Sequence, residues 1–111
     1  MIDLDRVRKG AKYYLKFRGY EIIEDDFEGY IIANDVEENT IAIVALSATE
    51  DDIKSDPLSK VTRDEFEQVM MRFFKSHDIV NRSVRCDICD LFVIGSNRAI
   101  VRHVVGIDFD M

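Results

Sequence analysis

The chain has 111 residues, 47% of them hydrophobic, with 15 basic and 22 acidic side chains and a formal charge of −7. That length fits one domain spanning 1–111 around one core, and the charge disfavours nonspecific binding to nucleic acid, itself a dense line of negative charge. Two cysteines, no leader-like start and no apolar run near the ~20 residues of a membrane span imply a soluble, cytoplasmic protein of a reducing compartment.

Residues 3–18 have the period of an amphipathic helix. Leu4, Val7, Ala11, Tyr14 and Leu15 form its apolar stripe, Asp3 is its N-cap and Gly19 its stop. Arg6, Arg8, Lys9, Lys12 and Lys16 fall on the opposite side. As a solvated face they keep the helix soluble; as a stripe they offer Arg8, Lys9, Lys12 and Lys16 as phosphate contacts. Tyr20 to Asp26 reads as a first strand and Tyr30 to Ala33 as a second. The polar turn from Asn34 to Asn39 closes a hairpin into the third strand.

That third strand, Thr40 to Ala48, holds no charged residue, Gly or Pro and is apolar at odd and even positions alike. It is therefore expected to be buried on both faces. Residues 49–60 read as an acidic surface loop containing Pro57. Thr62 and Glu65 have capping-box spacing before a second helix, whose stripe is Phe66, Val69, Met70, Phe73 and Phe74 and which ends near Asp78. Val84 to Ile94 is a long strand, Gly95 to Asn97 a turn and Ala99 to Val105 a return strand. The segment from strand three to strand four is long enough for a crossover, so part of the sheet can be parallel. The expected architecture is a two- or three-layer α/β sandwich. A mixed sheet of about five strands is flanked by two main helices, in the order α-β-β-β-α-β-β.

Ala11 with Tyr14-Leu15 and Gly19-Tyr20, Ile31-Ile32-Ala33 with Asp35, Ile41 to Val44, Arg85-Cys86-Asp87, and Ala99 to Val104 with Phe109 together resemble the YraN-like family of small uncharacterised proteins. That resemblance spans roughly residues 7–109. It implies a restriction-endonuclease-like (Holliday-junction-resolvase-like) fold and a place in DNA metabolism. The family's motifs resemble those of metal-dependent nucleases: an Asp closing one strand segment, then a Glu and a Lys two residues apart on the next. Residues i and i+2 of a strand share a face, so such an Asp and Glu hold a Mg²⁺ that activates water, and the Lys positions it.

Residue by residue, those ligands are missing. The Asp falls on Tyr30, the Glu on Ala45 and the Lys on Ser47, and the Gly-Glu that opens the family's first helix falls on Val7-Arg8. The resemblance therefore implies a catalytically degenerate nuclease-like protein, a pseudoenzyme with no cofactor. Its partner would be a protein, a second copy, or nucleic acid contacted weakly through the first helix. The alternative is an active endonuclease whose Mg²⁺ ligands have moved to Glu28, Asp35 or Glu50. Glu24, Asp25, Asp26, Asp51 and Asp52 are the other acids nearby. The competing reading of all of them is a solvating acidic surface.

Cys86 and Cys89 are three apart on a strand, so their sulfurs point to opposite faces and cannot share an ion. They read as small buried hydrophobes. Asp87 is expected to be paired or to cap a backbone group, because an unpaired buried carboxylate is costly. His103 reads as a partly buried packing residue.

Overall fold

A computed structural model describes residues 4–50, 61–79, 81–94 and 98–107. Helix α1 spans Leu4–Phe17, and strands β1, β2 and β3 span Tyr20–Phe27, Tyr30–Asp35 and Thr40–Glu50. Helix α2 spans Arg63–His77, and strands β4 and β5 span Ser83–Ile94 and Arg98–Val104. The expected element order holds. Asp3, the acids Asp51 and Asp52, most of the loop over 49–60, the turn at 95–97 and Phe109 lie outside the described residues.

The sheet runs β1-β2-β3-β4-β5. Only β3 and β4 are parallel, in unbroken register from Thr40↔Ser83 to Glu50↔Val93, and the other pairs are antiparallel. A parallel neighbour requires a crossover, and the segment containing α2 supplies it. The β3 backbone pairs two residues further than expected because β4 is long enough to match it. The turn between β1 and β2 has two residues, Glu28 and Gly29, both at positive φ (54° and 94°). That matches the right-handed twist of a tight hairpin.

Strand alternation divides the core between two faces. On one, Val7, Ala11 and Leu15 of α1 pack on Ile31, Ala42, Val44, Cys89 and Leu91. On the other, Val69 and Phe73 of α2 pack on Ile32, Ile41 and Ile43. The helices thus cover opposite faces, which makes three layers. β3 has Ile41 through Val44 fully buried, as a strand covered on both sides must. The two cysteines divide as their spacing requires, Cys86 to the α2 face and Cys89 to the α1 face. Burial pushes both thiols up to about 12, with Asp87 adding to it. They are therefore thiols rather than thiolates and poor metal ligands at neutral pH.

Both helix ends follow their chemistry. The Thr62 hydroxyl accepts the Glu65 N–H at 3.2 Å, and Asp78 closes α2 in the left-handed conformation with its N–H bonded to the Phe74 carbonyl. Gly19 ends α1 at φ 92°. At Gly10 the helix approaches the sheet so closely that a Cβ would meet Leu91 Cδ2 at 2.8 Å. One assignment on α1 is corrected: Leu4 is not on the buried stripe but is 75% exposed, because α1 begins beyond the edge of the apolar surface that Val7 first touches.

Candidate functional site

Tyr30, Ala45 and Ser47, the positions onto which the resemblance would put nuclease ligands, lie on the α2 face. Ala45 packs against Val61, Cys86 and Ile88, with Tyr30 beside them. Ser47 is two residues along the same face. In register, Ser47 of β3, Asp90 of β4 and Arg102 of β5 stand side by side across three strands. The Ser47 hydroxyl donates to Asp90 Oδ1 at 2.9 Å, and the Arg102 guanidinium donates to Asp90 Oδ2 at 3.3 Å. Asp90 is buried. Among the described residues this stretch of the α2 face therefore carries one carboxylate, supplied by the neighbouring strand, and both of its oxygens are engaged.

A Mg²⁺ needs several oxygen ligands held in near-octahedral geometry. A methyl, a hydroxyl, a phenol and one neutralised carboxylate do not fit that requirement. Among the described residues no group of three His, Cys, Asp or Glu side chains is placed to hold a metal ion. The candidate ligands Glu28 and Asp35 do not converge either. Glu28 precedes β2 and Asp35 ends it, so the strand's six residues, at roughly 3.3 Å each, separate them. Each has an arginine instead. Arg72 donates to both Glu28 oxygens at 2.6–3.0 Å, and Arg85 donates to Asp35 Oδ2 at 2.8 Å. Reading Asp35 as a solvating loop acid also needs correction: it is buried, and it belongs to β2 rather than to a turn.

The basic stripe of α1 is partly spoken for. Arg8 donates to the carbonyls of Asp25 and Gly29 and pairs with Asp26, and Lys12 pairs with Asp25 at 3.1 Å. Lys9 and Lys16 are exposed. Two of the four proposed phosphate contacts thus hold the β1–β2 hairpin against the helix. No sequence pattern marked those acids as their partners, because the contact joins a helix to a turn some 13–21 positions away.

The densest polar cluster lies on the α1 face, and the sequence reading reached only part of it. Arg85 and Asp87 are i and i+2 on β4 and share that face. The Arg85 side chain starts beside Ala42 and Ala33, the residues in register with it on β3 and β2. Those two small residues leave room for a long side chain to lie across the sheet. It donates from Nε to Asp87 Oδ1 at 2.9 Å, from one terminal nitrogen to Asp35, and from the other to the Tyr20 hydroxyl at 2.6 Å. Asp87, fully buried, also accepts from His103 Nε2 at 2.9 Å and from the Gly106 N–H at 2.9 Å. The other ring nitrogen of His103, Nδ1, lies 3.2 Å from the Tyr14 hydroxyl, with the two rings edge-on at 87°. His103 is thus more than a packing residue: it links β5, β4 and α1.

Burial alone would push the Asp87 carboxyl up. The bonds from His103, Arg85 and Gly106 outweigh burial and hold it below the usual carboxylate range. Burial likewise disfavours the charge on Arg85, but Asp87 and Asp35 more than restore it. Tyr20 is pushed up to about 12, chiefly by burial. A cleft of about 460 Å³ opens over this cluster, walled by Tyr14, Tyr20, Arg85, His103, Arg18 and Glu38 among others. The donors of Arg85 and the acceptors of Asp87 are consumed internally, so the cluster ties elements together rather than offering unsatisfied groups to a ligand.

The apolar surface is concentrated elsewhere. Tyr13 and Phe17, one turn apart on α1, are 75% and 80% exposed. With Gly10, Leu91, Ala99 and Val101 they line a groove between α1 and β5. Ile100, on the opposite side of β5, is 59% exposed. No helix among the described residues is long and apolar enough to cross a membrane. Comparison with protein-family models, curated proteins and solved structures finds no match to this chain.

Proposed function

We propose that this chain is a non-catalytic interaction domain on a restriction-endonuclease-like scaffold, a degenerate relative of metal-dependent nucleases that works by contacting another protein. The observation that carries the reading is the row Ser47–Asp90–Arg102. Where a nuclease sets free carboxylates toward a metal, the carboxylate beside Ser47 among the described residues is bonded to a hydroxyl and a guanidinium. The element order α-β-β-β-α-β-β with β3 parallel to β4 supports the scaffold. The exposed aromatics Tyr13 and Phe17 beside an edge strand supply a contact surface. Interfaces are enriched in such aromatic residues, and a net acidic chain favours a protein partner over nucleic acid.

The expected result is that purified protein leaves supercoiled plasmid and branched DNA intact with Mg²⁺ or Mn²⁺. The measurement is product formation on a gel over hours. Cutting that survives repurification and disappears on Asp90→Asn would overturn the reading and locate the chemistry at this row.

A further inference from the structure

The two edges of the sheet are built differently. β1, on one edge, is interrupted by register shifts between Ile22 and Glu24 and between Glu24 and Phe27. Three of its four acids are occupied by α1 and α2: Asp25 and Asp26 by Lys12 and Arg8, and Glu24 by His77. Bulges and covering charges are how natural sheets blunt an edge. β5, on the other edge, has no such interruption. It pairs with β4 through seven consecutive residues from Ile88↔Val104 to Ile94↔Arg98. Among the described strands it has a neighbour on one side only. A regular strand with one neighbour presents a row of backbone donors and acceptors along its outer side.

Its two faces carry different chemistry. Ala99 and Val101 line the groove with Tyr13 and Phe17. Arg98, Ile100 and Arg102 alternate onto the opposite face, where Arg102 meets Asp90 and remains 57% exposed. Residues 98–107 contain two Arg and one His and no acid, in a chain whose net charge is −7. Like the basic stripe of α1, this edge is a basic patch on an acidic protein.

Resting on the interaction-domain reading, we infer that β5 receives an extended segment of an acidic partner protein as a sixth strand. Directly opposed side chains on neighbouring strands lie about 4.5–5.5 Å apart at Cβ. Two acids four residues apart therefore face Arg98 and Arg102, and the residue midway between them faces Ile100. The two intervening residues point to the other face, into the groove under Tyr13 and Phe17, and are apolar. The partner pattern is acidic-apolar-apolar-apolar-acidic. Backbone bonds to the edge give affinity and the alternating pockets give specificity.

The probe is a fluorescein-labelled peptide with the core Glu-Val-Ile-Val-Glu flanked by Ser-Gly, measured by anisotropy against the full chain. A twin with Lys in place of both Glu is the control. The expected result is saturable binding of the Glu peptide and none of the Lys twin. Arg98→Glu should weaken binding at least tenfold and transfer preference to the Lys twin. Phe17→Ala, at an exposed position, should weaken it several-fold with an unchanged melting temperature. Equal binding of both peptides, no binding at millimolar peptide, or indifference to both substitutions would each overturn the inference. So would sedimentation showing a dimer that Arg98→Glu dissociates, because a second copy would then hold the edge. Failure with the peptide leaves the interaction-domain reading standing, whereas metal-dependent DNA cleavage removes that reading independently of the peptide.

Discussion

Replacing Asp87 with Ala is expected to cost about 3–5 kcal/mol of folding stability, the usual consequence of removing one partner from a buried ion pair. Asp87 is fully buried and accepts four hydrogen bonds, from Arg85 Nε and a terminal nitrogen, His103 Nε2 and the Gly106 N–H. Alanine leaves those donors facing one another without the buried carboxylate that joined them. Arg85 keeps Asp35 and Tyr20, so its charge stays partly balanced, and the uncompensated loss falls on His103 and Gly106. For a domain of this size the melting temperature should fall by about 10–25 °C. Urea unfolding at pH 7 measures it. Glu28→Gln, which breaks an ion pair half exposed at the surface, is the matched comparison and should scarcely move the midpoint.

The same carboxyl sets a pH dependence whose sign follows from linkage. Its folded pKa lies below the unfolded value of about 3.9. The stabilisation is therefore present in full above that unfolded value and is lost as pH falls through the folded one. Wild-type midpoints should drop steeply below about pH 4. Asp87→Asn, which cannot ionise, should start lower and fall less. A parallel pair of curves would mean that Asp87 is not the carboxylate stabilised by folding.

Ala45→Glu is the second large effect. A nuclease-like cradle would hold a glutamate at this place on β3. Here the residue is 8% exposed and touches Val61, Cys86 and Ile88. A longer, charged side chain must either displace them or bury its charge without a partner, at a cost of about 2–5 kcal/mol. Burial raises the introduced carboxyl's pKa. The destabilisation should therefore be smaller below the unfolded Glu value of about 4.3 and grow as pH rises above it. An Ala45→Glu protein as stable as wild type at pH 7 would show that the cradle still has room and polarity for a ligand.

Period and spacing carried most of the fold. The strand at 40–48 was legible because nine consecutive uncharged residues without Gly or Pro leave little else to be. α2 was legible from its capping box and apolar stripe. The parallel pair followed from connection length. What misled was local. Leu4 continues the helical period into a first turn that is exposed. Glu50 belongs to a strand only because β4 is long enough to pair with it.

The site was less legible, for a physical reason. Sequence spacing reports neighbours on one element, whereas the clusters here join elements across the sheet. Arg85 and Asp87, two apart, were within reach of pattern reasoning. His103 joining them from 16 positions away and Asp35 from 50 were not. Asp90 was visible as an acid on the face that also holds Cys86 and Ile88. Only the register Ser47↔Asp90↔Arg102 shows that it stands beside Ser47, and already neutralised.

Calorimetric titration of the pure protein with Mn²⁺ probes the Ser47–Asp90–Arg102 row most directly. With Asp90 bonded to Ser47 and Arg102, and Glu28 and Asp35 at opposite ends of β2, the heats should be those of dilution and weak surface association, identical for wild type and Asp90→Asn. One saturable site at one equivalent, lost in Asp90→Asn or in Glu28→Gln, would contradict the account.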